Sequence, residues 1–407
     1  MRGYALSDGG IHMKSEISRR QVIQRIGAAA GVVAFMPRVL AAQAAQAPAQ
    51  SPARVGPPSV ISNPPRDFTP GAQPVTYPDP DLITIDPSFN SLRLGNTPIQ
   101  RLWTGGYWCE GPAWSSQGRY LVWSDLPNNR QMRYLDDDGR VTVFRAPSNN
   151  SNGNTFDMQG RQLSCEHAGR RVVRYEHDGS VSVIADAYQG KRLNSPNDIA
   201  VHQDGSIWFT DPPFGGSLYE GMVDAAGGPS NPRGLLNPKA GQPAGAGTLT
   251  RELSSNVYRV DPSARIDMVI SEQDLGSAGN GIAFSPDFKK VYIVARGGVV
   301  VANVGADNKI SAPTVFSNFM VDGVRCGPDG IRADVYGNLW CGSNAGNNIG
   351  YSGVTVHSPD GKMIGRIRLP EVCANVAFGG PKRNRLFMTA GQSLYAVYTN
   401  TQGASPG

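Results

Sequence analysis

Short runs of alternating apolar and polar residues recur from about residue 98 to residue 398. Alternation with a period of two is the pattern of a half-buried β-strand, and it is clear in residues 206–210 and 338–341. Turns that contain glycine separate the runs, and Asp-Gly turns begin at Asp138, Asp178, Asp204 and Asp360. The pattern therefore predicts an all-β fold of many short strands joined by tight turns.

A set of polar residues returns at a nearly constant spacing within this region. Its six members, called here the ring residues, are Glu110, Asn152, Asn197, Asn280, Asp329 and Asn375. Successive members are separated by 42, 45, 83, 49 and 46 residues. A period of about 40–50 residues with four strands per repeat is typical of a β-propeller. We therefore predict a six-bladed β-propeller over residues 81–400, in which residues 98–106 lend a strand to the last blade. A β-sandwich is the alternative, but it would not repeat polar positions at this period.

The single long interval contains roughly 38 extra residues, which lie in residues 215–253. This segment is rich in Gly, Pro and Ala and has no strand pattern. A loop of this length inside a compact domain is usually functional or disordered. Two interpretations stay open: a lid over the central opening, and a surface insertion without a role.

The N-terminal segment has the pattern of an export signal. A pair of arginines in residues 18–23 precedes an apolar run over 26–36 and then small residues up to Ala47. This pattern predicts a twin-arginine-type signal peptide over residues 1–47, read by the twin-arginine export machinery. Eleven apolar residues are too few to cross about 30 Å of hydrocarbon, so we expect no stable membrane insertion after cleavage. Residues 48–80, rich in Pro and Ala, are the predicted linker, and the mature protein is expected in the periplasm or outside the cell.

Composition narrows the function classes. The 407 residues include 49 Gly and 31 Pro, and only 17% are charged, which argues against a helical bundle or coiled coil. The formal net charge of the chain is +5. The predicted signal carries six basic and two acidic residues, a net charge of +4, so 5 − 4 leaves a net charge of about +1 for the rest of the chain. A nearly neutral chain has no electrostatic basis for binding nucleic acid.

Cysteine and histidine are scarce, with five of each. No CxxC pair occurs, which argues against a zinc ribbon or a haem attachment site. An odd number of cysteines leaves at least one thiol free within the chain. Disulfides between Cys109 and Cys373 or between Cys326 and Cys373 are conceivable, but we expect buried free thiols.

The ring residues carry the candidate chemistry. The first strand of each propeller blade lines the central axis, so equivalent positions of successive repeats converge there. Carboxylates and amides without histidine form an oxygen-rich site, which suits hard cations such as Ca²⁺ or Mg²⁺. Each Asn-Gly or Asp-Gly pair could alternatively be a simple turn pair. Turn residues, however, need not fall at the same phase of five repeats, so we predict a central metal site.

Five segments resemble the gluconolactonase/SMP-30/regucalcin family. They are EGPAW at 110–114, LNSPND at 193–198, FTDPP at 209–213, NGIAF at 280–284 and PDG at 328–330. The resemblance extends over about residues 98–398. It implies a six-bladed propeller with one catalytic divalent cation, usually Ca²⁺ or Zn²⁺, in a family in which many members hydrolyse sugar lactones.

Transferred position by position, the resemblance implies metal ligation by Glu110, Asn197, Asn280 and Asp329. Ca²⁺ is the favoured ion, and Zn²⁺, Mn²⁺ and Mg²⁺ stay open. Animal members of the family have an arginine for sugar contact where this chain has Ser195. The chain is therefore closer to the microbial type, and sugar-lactone specificity cannot be transferred on that contact.

The expected activity is the hydrolysis of a sugar lactone such as glucono-1,5-lactone to the aldonic acid. In this mechanism Asp329 orients or deprotonates the attacking water. A cation depresses the pKa of a bound carboxylate and weakens it as a base, so His167 is a second candidate for the base. Asn152, Asn197 and Asp211 are the predicted substrate-binding residues.

Two other functions stay open on the sequence. The same metal could hydrolyse another lactone, an ester or a phosphotriester, or the propeller could be a binding protein with a structural ion. A serine hydrolase is rejected, because the GxSxG match at 403–407 has no following helix. No nucleotide cofactor is expected, because no GxGxxG follows a strand and no phosphate-binding loop occurs.

Overall fold

Six antiparallel sheets follow one another along the chain in the computed structural model, which describes residues 66–69, 72, 76–217, 251–306 and 309–404. The chain enters through β1 (Leu82–Thr84), a 3₁₀ helix (Pro87–Ser91) and β2 (Gln100–Thr104). Blade 1 comprises β3 (Cys109–Ser115), β4 (Tyr120–Asp125), β5 (Arg130–Leu135) and β6 (Val141–Arg145). Blade 2 comprises β7 (Ser151–Phe156), β8 (Gln162–Glu166), β9 (Arg171–Tyr175) and β10 (Val181–Ala185).

The third and fourth blades also have four strands each. Blade 3 comprises β13 (Ile199–Val201), β14 (Ile207–Thr210), β15 (Val257–Val260) and β16 (Ile266–Ile270). Blade 4 comprises β17 (Ile282–Phe284), β18 (Lys290–Ala295), β19 (Gly298–Asn303) and β20 (Thr314–Ser317). Short helices α1 (Phe214–Ser217) and α2 (Glu272–Leu275) and two small hairpins, β11–β12 (Ala187–Tyr188, Lys191–Arg192) and β21–β22 (Met320–Val321, Val324–Arg325), lie between these elements.

The last two blades each take a strand from the N-terminal part of the chain. Blade 5 comprises β23 (Gly327–Ala333), β24 (Leu339–Asn344), β25 (Gly353–His357) and β26 (Met363–Arg368), and β1 pairs with β26 as a fifth strand. Blade 6 comprises β27 (Cys373–Gly379), β28 (Arg385–Ala390) and β29 (Ser393–Tyr398), and β2 pairs with β29 as its fourth strand. The predicted six-bladed propeller and the predicted closing strand are confirmed. The fifth strand of blade 5 was not expected.

Apolar side chains fill most of the space between neighbouring blades. The interface of blades 6 and 1, for example, buries Trp114 against Phe387, with ring centroids 5.8 Å apart. Between blades 1 and 2 the apolar cluster is small, and a buried polar network takes its place. Gln131 Nε2 donates to Asn154 Oδ1 at 3.0 Å, and Asn154 Nδ2 donates to the carbonyl of Gly111 at 2.8 Å. The network therefore fixes the inner strands of these two blades relative to each other.

One end of the segment predicted as a linker belongs to the folded domain. Phe68 is buried in the core of blades 5 and 6 and meets Tyr395 edge to face at 6.1 Å. Arg66 Nη1 donates to Asp79 Oδ1 at 2.7 Å, and it also pairs with Asp81. Phe68 therefore attaches its part of the segment to blades 5 and 6, while Arg66 supplies the counter-charge for the buried carboxylates of Asp79 and Asp81.

The predicted signal peptide over residues 1–47 lies outside the described residues, as do residues 218–250 of the insertion. Among the described residues, no helix is long and apolar enough to span a membrane. All five cysteines are described, and each is a buried free thiol, as expected from the sequence.

Candidate active site

The fold gathers the ring residues at one end of the inner strands. Each of them lies at or just before the beginning of the inner strand of its blade. Asn375 Nδ2 donates to Glu110 Oε2 at 3.3 Å across the closure between blades 6 and 1. The side chain of Asn280 donates to the carboxylate of Asp329. The convergence that the repeat spacing predicted is thus present in the structure.

Glycine makes this close approach of the inner strands sterically feasible. Four of the ring residues are followed by glycine, at Gly111, Gly153, Gly281 and Gly330. A Cβ atom on Gly281 would lie 2.2 Å from the carbonyl oxygen of Asp329, and one on Gly330 would lie 1.9 Å from Cγ of Asn375. The Asn-Gly and Asp-Gly pairs are therefore not turn pairs. They are places where one inner strand packs against the next without room for a side chain.

The two ring carboxylates share a site that disfavours negative charge. Burial, followed by repulsion from Asp329, raises the pKa of Glu110 well above its usual range. Burial, followed by repulsion from Asp198, raises the pKa of Asp329 to about 7, although the hydrogen bond from Asn280 opposes the shift. Bringing carboxylates together in a poorly solvated site is unfavourable unless a positive charge accompanies them. The centre of the ring therefore favours a cation.

A third carboxylate, which the sequence analysis did not assign, lies beside the ring. Asp198 follows Asn197 and is 1% exposed. Its Oδ2 accepts hydrogen bonds from Ile282 N and from Arg332 Nη1, both at 3.2 Å. The sequence contains one indication of this buried carboxylate, which is Arg332. An arginine on the inner strand of a blade needs a buried acid as its partner.

His167 lies next to the ring residue of blade 2. Its Nε2 is 3.4 Å from Nδ2 of Asn152, and its ring is 1% exposed. A Cβ atom on Gly215 would lie 2.5 Å from Cγ of this ring, so the backbone of α1 covers it. Burial lowers the pKa of His167 to about 3, so its imidazole is neutral near pH 7.

The loop before Asn197 is held by buried hydrogen bonds. Asn194 donates through its backbone N–H to Asp211 Oδ2 at 2.8 Å and through its Nδ2 to the carbonyl of Asp211 at 3.0 Å. Ser195 Oγ donates to the carbonyl of Pro212 at 2.6 Å and accepts from the N–H of Gly215 at 2.9 Å. Asp211 and Ser195 thus hold the loop in place through hydrogen bonds. A substrate contact by Asp211 stays a prediction.

The donor set fits a hard cation better than a transition metal. Within the described residues, no group of three or more His, Cys, Asp or Glu side chains is arranged so that it could hold a metal ion. The predicted ligands comprise two carboxylates, Glu110 and Asp329, and two amides, Asn197 and Asn280. Such an oxygen-only set matches the preference of Ca²⁺ or Mg²⁺ for carboxylate and amide oxygens.

Fold and site together define a six-bladed propeller whose inner strands present acids and amides at the axis. Comparison with known sequences assigns the family: the SMP-30/Gluconolactonase/LRE-like region matches residues 108–392. The chain belongs to this family, as its sequence motifs indicated.

Relatives with assigned names agree with this membership. The chain is 28% identical to a gluconolactonase of Zymomonas mobilis over 348 residues, which cover 79% of this chain and 87% of the relative. It is 25% identical to a pentonolactonase of Haloferax volcanii, over 69% of this chain and 80% of the relative. The solved structure of a gluconolactonase from Xanthomonas campestris superposes with a TM-score of 0.64 and 31% identity, over 78% of this chain and 94% of that one.

Proposed function

We propose that the protein is a lactonase, a hydrolase of carboxylic ester bonds that opens a sugar lactone such as glucono-1,5-lactone to the aldonic acid. The observation that carries this proposal is the ring itself. The two repelling carboxylates and the amide side chains at the axis lie in a chain that belongs to a family with lactonase members.

We propose further that the reaction depends on one divalent cation, with Ca²⁺ as the favoured ion. Glu110, Asn197, Asn280 and Asp329 would hold it, since two carboxylates balance its charge. When bound, such a cation polarises a carbonyl group and stabilises negative charge on its oxygen. The raised pKa values of Glu110 and Asp329 support this assignment, because burial and repulsion between carboxylates disfavour their negative charges unless a cation accompanies them.

Asp329 is the favoured base for the attacking water. Its side chain is largely buried but keeps some exposure, so a carboxylate oxygen can accept a proton from a water molecule at the axis. His167 is the weaker candidate, because its ring is enclosed and its pKa lies far below the operating range of a general base. In this proposal His167 instead fixes the side chain of Asn152, which together with Asn197 contacts the substrate hydroxyls.

The test is hydrolysis of glucono-1,5-lactone by chelator-treated protein that is reloaded with Ca²⁺, Zn²⁺ or Mn²⁺. We expect a metal to restore activity, and we expect Asp329→Asn to lower kcat by about a hundredfold or more while circular dichroism stays unchanged. Asp261→Asn, in a turn at the far end of blade 3, is the matched control and should keep full activity. Restored activity that survives in Asp329→Asn would contradict the assigned base.

Failure with this substrate would redirect the assignment. If the wild-type protein binds a cation but opens no sugar lactone, a panel of other lactones, esters and phosphotriesters follows. If none of these is hydrolysed, the binding role with a structural ion replaces the enzyme.

We also propose that the protein is exported in folded form. The support is the arginine pair at Arg19 and Arg20 followed by an apolar run and an Ala-rich region. Replacing both arginines by lysine should retain the uncleaved chain in the cytoplasm, as measured by cell fractionation and by the mass of the protein. Unchanged export of this variant would contradict the twin-arginine route.

A further inference from the structure

A buried ion pair lies beside the axial ring and takes no part in the reaction proposed above. Asp198 Oδ2 and Arg332 Nη1 are 3.2 Å apart, and the two residues are 1% and 6% exposed. They are 134 residues apart in the chain. The pair therefore connects the start of the inner strand of blade 3 with the inner strand of blade 5.

The two oxygens of the Asp198 carboxylate have different surroundings. Oδ2 accepts from Arg332 and from the backbone N–H of Ile282 in blade 4. Oδ1 is buried and has no hydrogen-bond partner among the described residues. It faces blade 2, since a Cβ atom on Gly153 would lie 2.9 Å from it. One oxygen is thus held by two blades, and the other is unpaired next to the ring.

Asp198 also lies within electrostatic reach of both ring carboxylates. After burial, its charge is the main cause that raises the pKa of Asp329, and it contributes to the raised pKa of Glu110. Asp198 therefore lies close to the place where the cation is proposed to bind, although the three carboxylates are not arranged as a common ligand set. The number of charged ligands is one of the properties that set the affinity of a calcium site.

We propose that Arg332 is a positioning residue that keeps the Asp198 carboxylate out of the ligand shell of the cation. The inference rests on the proposed cation site and deepens it. The guanidinium and the N–H of Ile282 hold Oδ2 away from the ring, so Glu110 and Asp329 supply the negative ligands. Without the guanidinium, Asp198 is a buried acid without a counter-charge, and the cation becomes its nearest partner.

The test is a double-mutant cycle on the full-length, chelator-treated protein, with Ca²⁺ affinity measured by isothermal titration calorimetry. Arg332→Met should bind Ca²⁺ about tenfold more tightly than the wild type, because a third carboxylate joins the ligands. Arg332→Met combined with Asp198→Asn should return to within about threefold of the wild-type affinity, since neither charge remains. Arg332→Lys retains the positive charge and should also stay close to the wild type.

A matched control separates this effect from a general loss of a buried arginine. Arg385 in β28 is 7% exposed and donates to the hydroxyl of Tyr134 at 2.9 Å, in the interface of blades 6 and 1. Arg385→Met should leave Ca²⁺ affinity unchanged. Circular dichroism of every variant reports whether it is folded, and the doubly substituted variant tests the proposal even if Arg332→Met does not fold.

Two results would overturn the proposal. Weaker or unchanged Ca²⁺ binding by folded Arg332→Met would show that Asp198 does not join the ligands when released. A loss of more than about tenfold in the doubly substituted variant would show that Asp198 is a ligand already in the wild type. Absence of Ca²⁺ binding by the wild type would instead contradict the proposed cation site itself, so the two failures are distinguishable.

Discussion

Individual acids in this propeller differ in what their burial achieves. Glu110 and Asp329 are brought together at the axis, where their charges repel, whereas Asp211 is buried alone beneath the loop that precedes Asn197. The first arrangement creates an unfavourable charge that a ligand can relieve. The second uses a carboxyl group to hold backbone N–H groups and makes the loop sensitive to pH.

Asp211 provides a prediction about stability. Burial raises its pKa to about 7, and the backbone N–H groups of Asn194 and Ser195 oppose the shift only partly. The folded protein therefore keeps a proton that the unfolded chain releases near the ordinary aspartate pKa of 3.8. The contribution of Asp211 is fully present below that value and is lost as the pH rises to about 7.

We therefore expect Asp211→Asn to gain stability relative to the wild type as the pH rises from 5 to 8. The shift corresponds to a few kcal/mol at most, at about 1.4 kcal/mol per pKa unit. Urea unfolding of both proteins at several pH values measures the difference between their free energies of unfolding. A difference that is constant over this range would contradict the raised pKa.

At the level of the strands, the spacing of the inner strands depends on glycine. Gly281 precedes β17 and lies against the backbone of Asp329 in the next blade. Gly281→Ala would place a methyl group 2.2 Å from that carbonyl oxygen, so blades 4 and 5 must separate. We expect a loss of about 1–3 kcal/mol in stability together with lower lactonase activity, because Asp329 moves with its strand.

The control for this substitution is Gly95→Ala. Gly95 lies in an exposed turn, and a Cβ atom there would have no neighbour within 4 Å. The free energy of unfolding of the Gly95→Ala variant should differ from that of the wild type by no more than about 0.5 kcal/mol. Thermal unfolding and lactone hydrolysis of both variants measure these effects. Equal stability and equal activity of Gly281→Ala and Gly95→Ala would contradict the steric argument.

The sequence predicts those elements whose signal is local or periodic. Six blades, the closing strand and the convergence of the ring follow from one period, because equivalent positions of a repeat occupy equivalent places in space. The three residues of β1 carry no such signal, and their partner strand lies at the other end of the chain. The pairing of Asp198 with Arg332 depends on contacts between blades, and neither residue shares the phase of the ring.

On the scale of the whole molecule, the circle of six blades is complete only when the N-terminal strand β2 joins the C-terminal strands of blade 6. β27, β28 and β29 come from the C-terminal end and β2 comes from the N-terminal part, so blade 6 is built from both. Trp103 of β2 packs against Trp123 of blade 1 with ring centroids 5.5 Å apart. Closure of the propeller also places Asn375 against Glu110. The candidate site can therefore form only when the propeller is closed.

Ring closure can be tested by dividing the chain between residues 105 and 106. We expect the fragment 106–407 alone to lack cooperative unfolding and lactonase activity, because blade 6 lacks its outer strand and blade 5 lacks β1. Coexpression with the fragment 66–105 should restore both, since strand addition and the burial of Phe68 and Trp103 bind the two pieces together. The same short fragment with Trp103→Ser should restore less activity at equal expression. An active fragment 106–407 on its own would mean that the inner three strands of blade 6 suffice to hold Asn375 against Glu110.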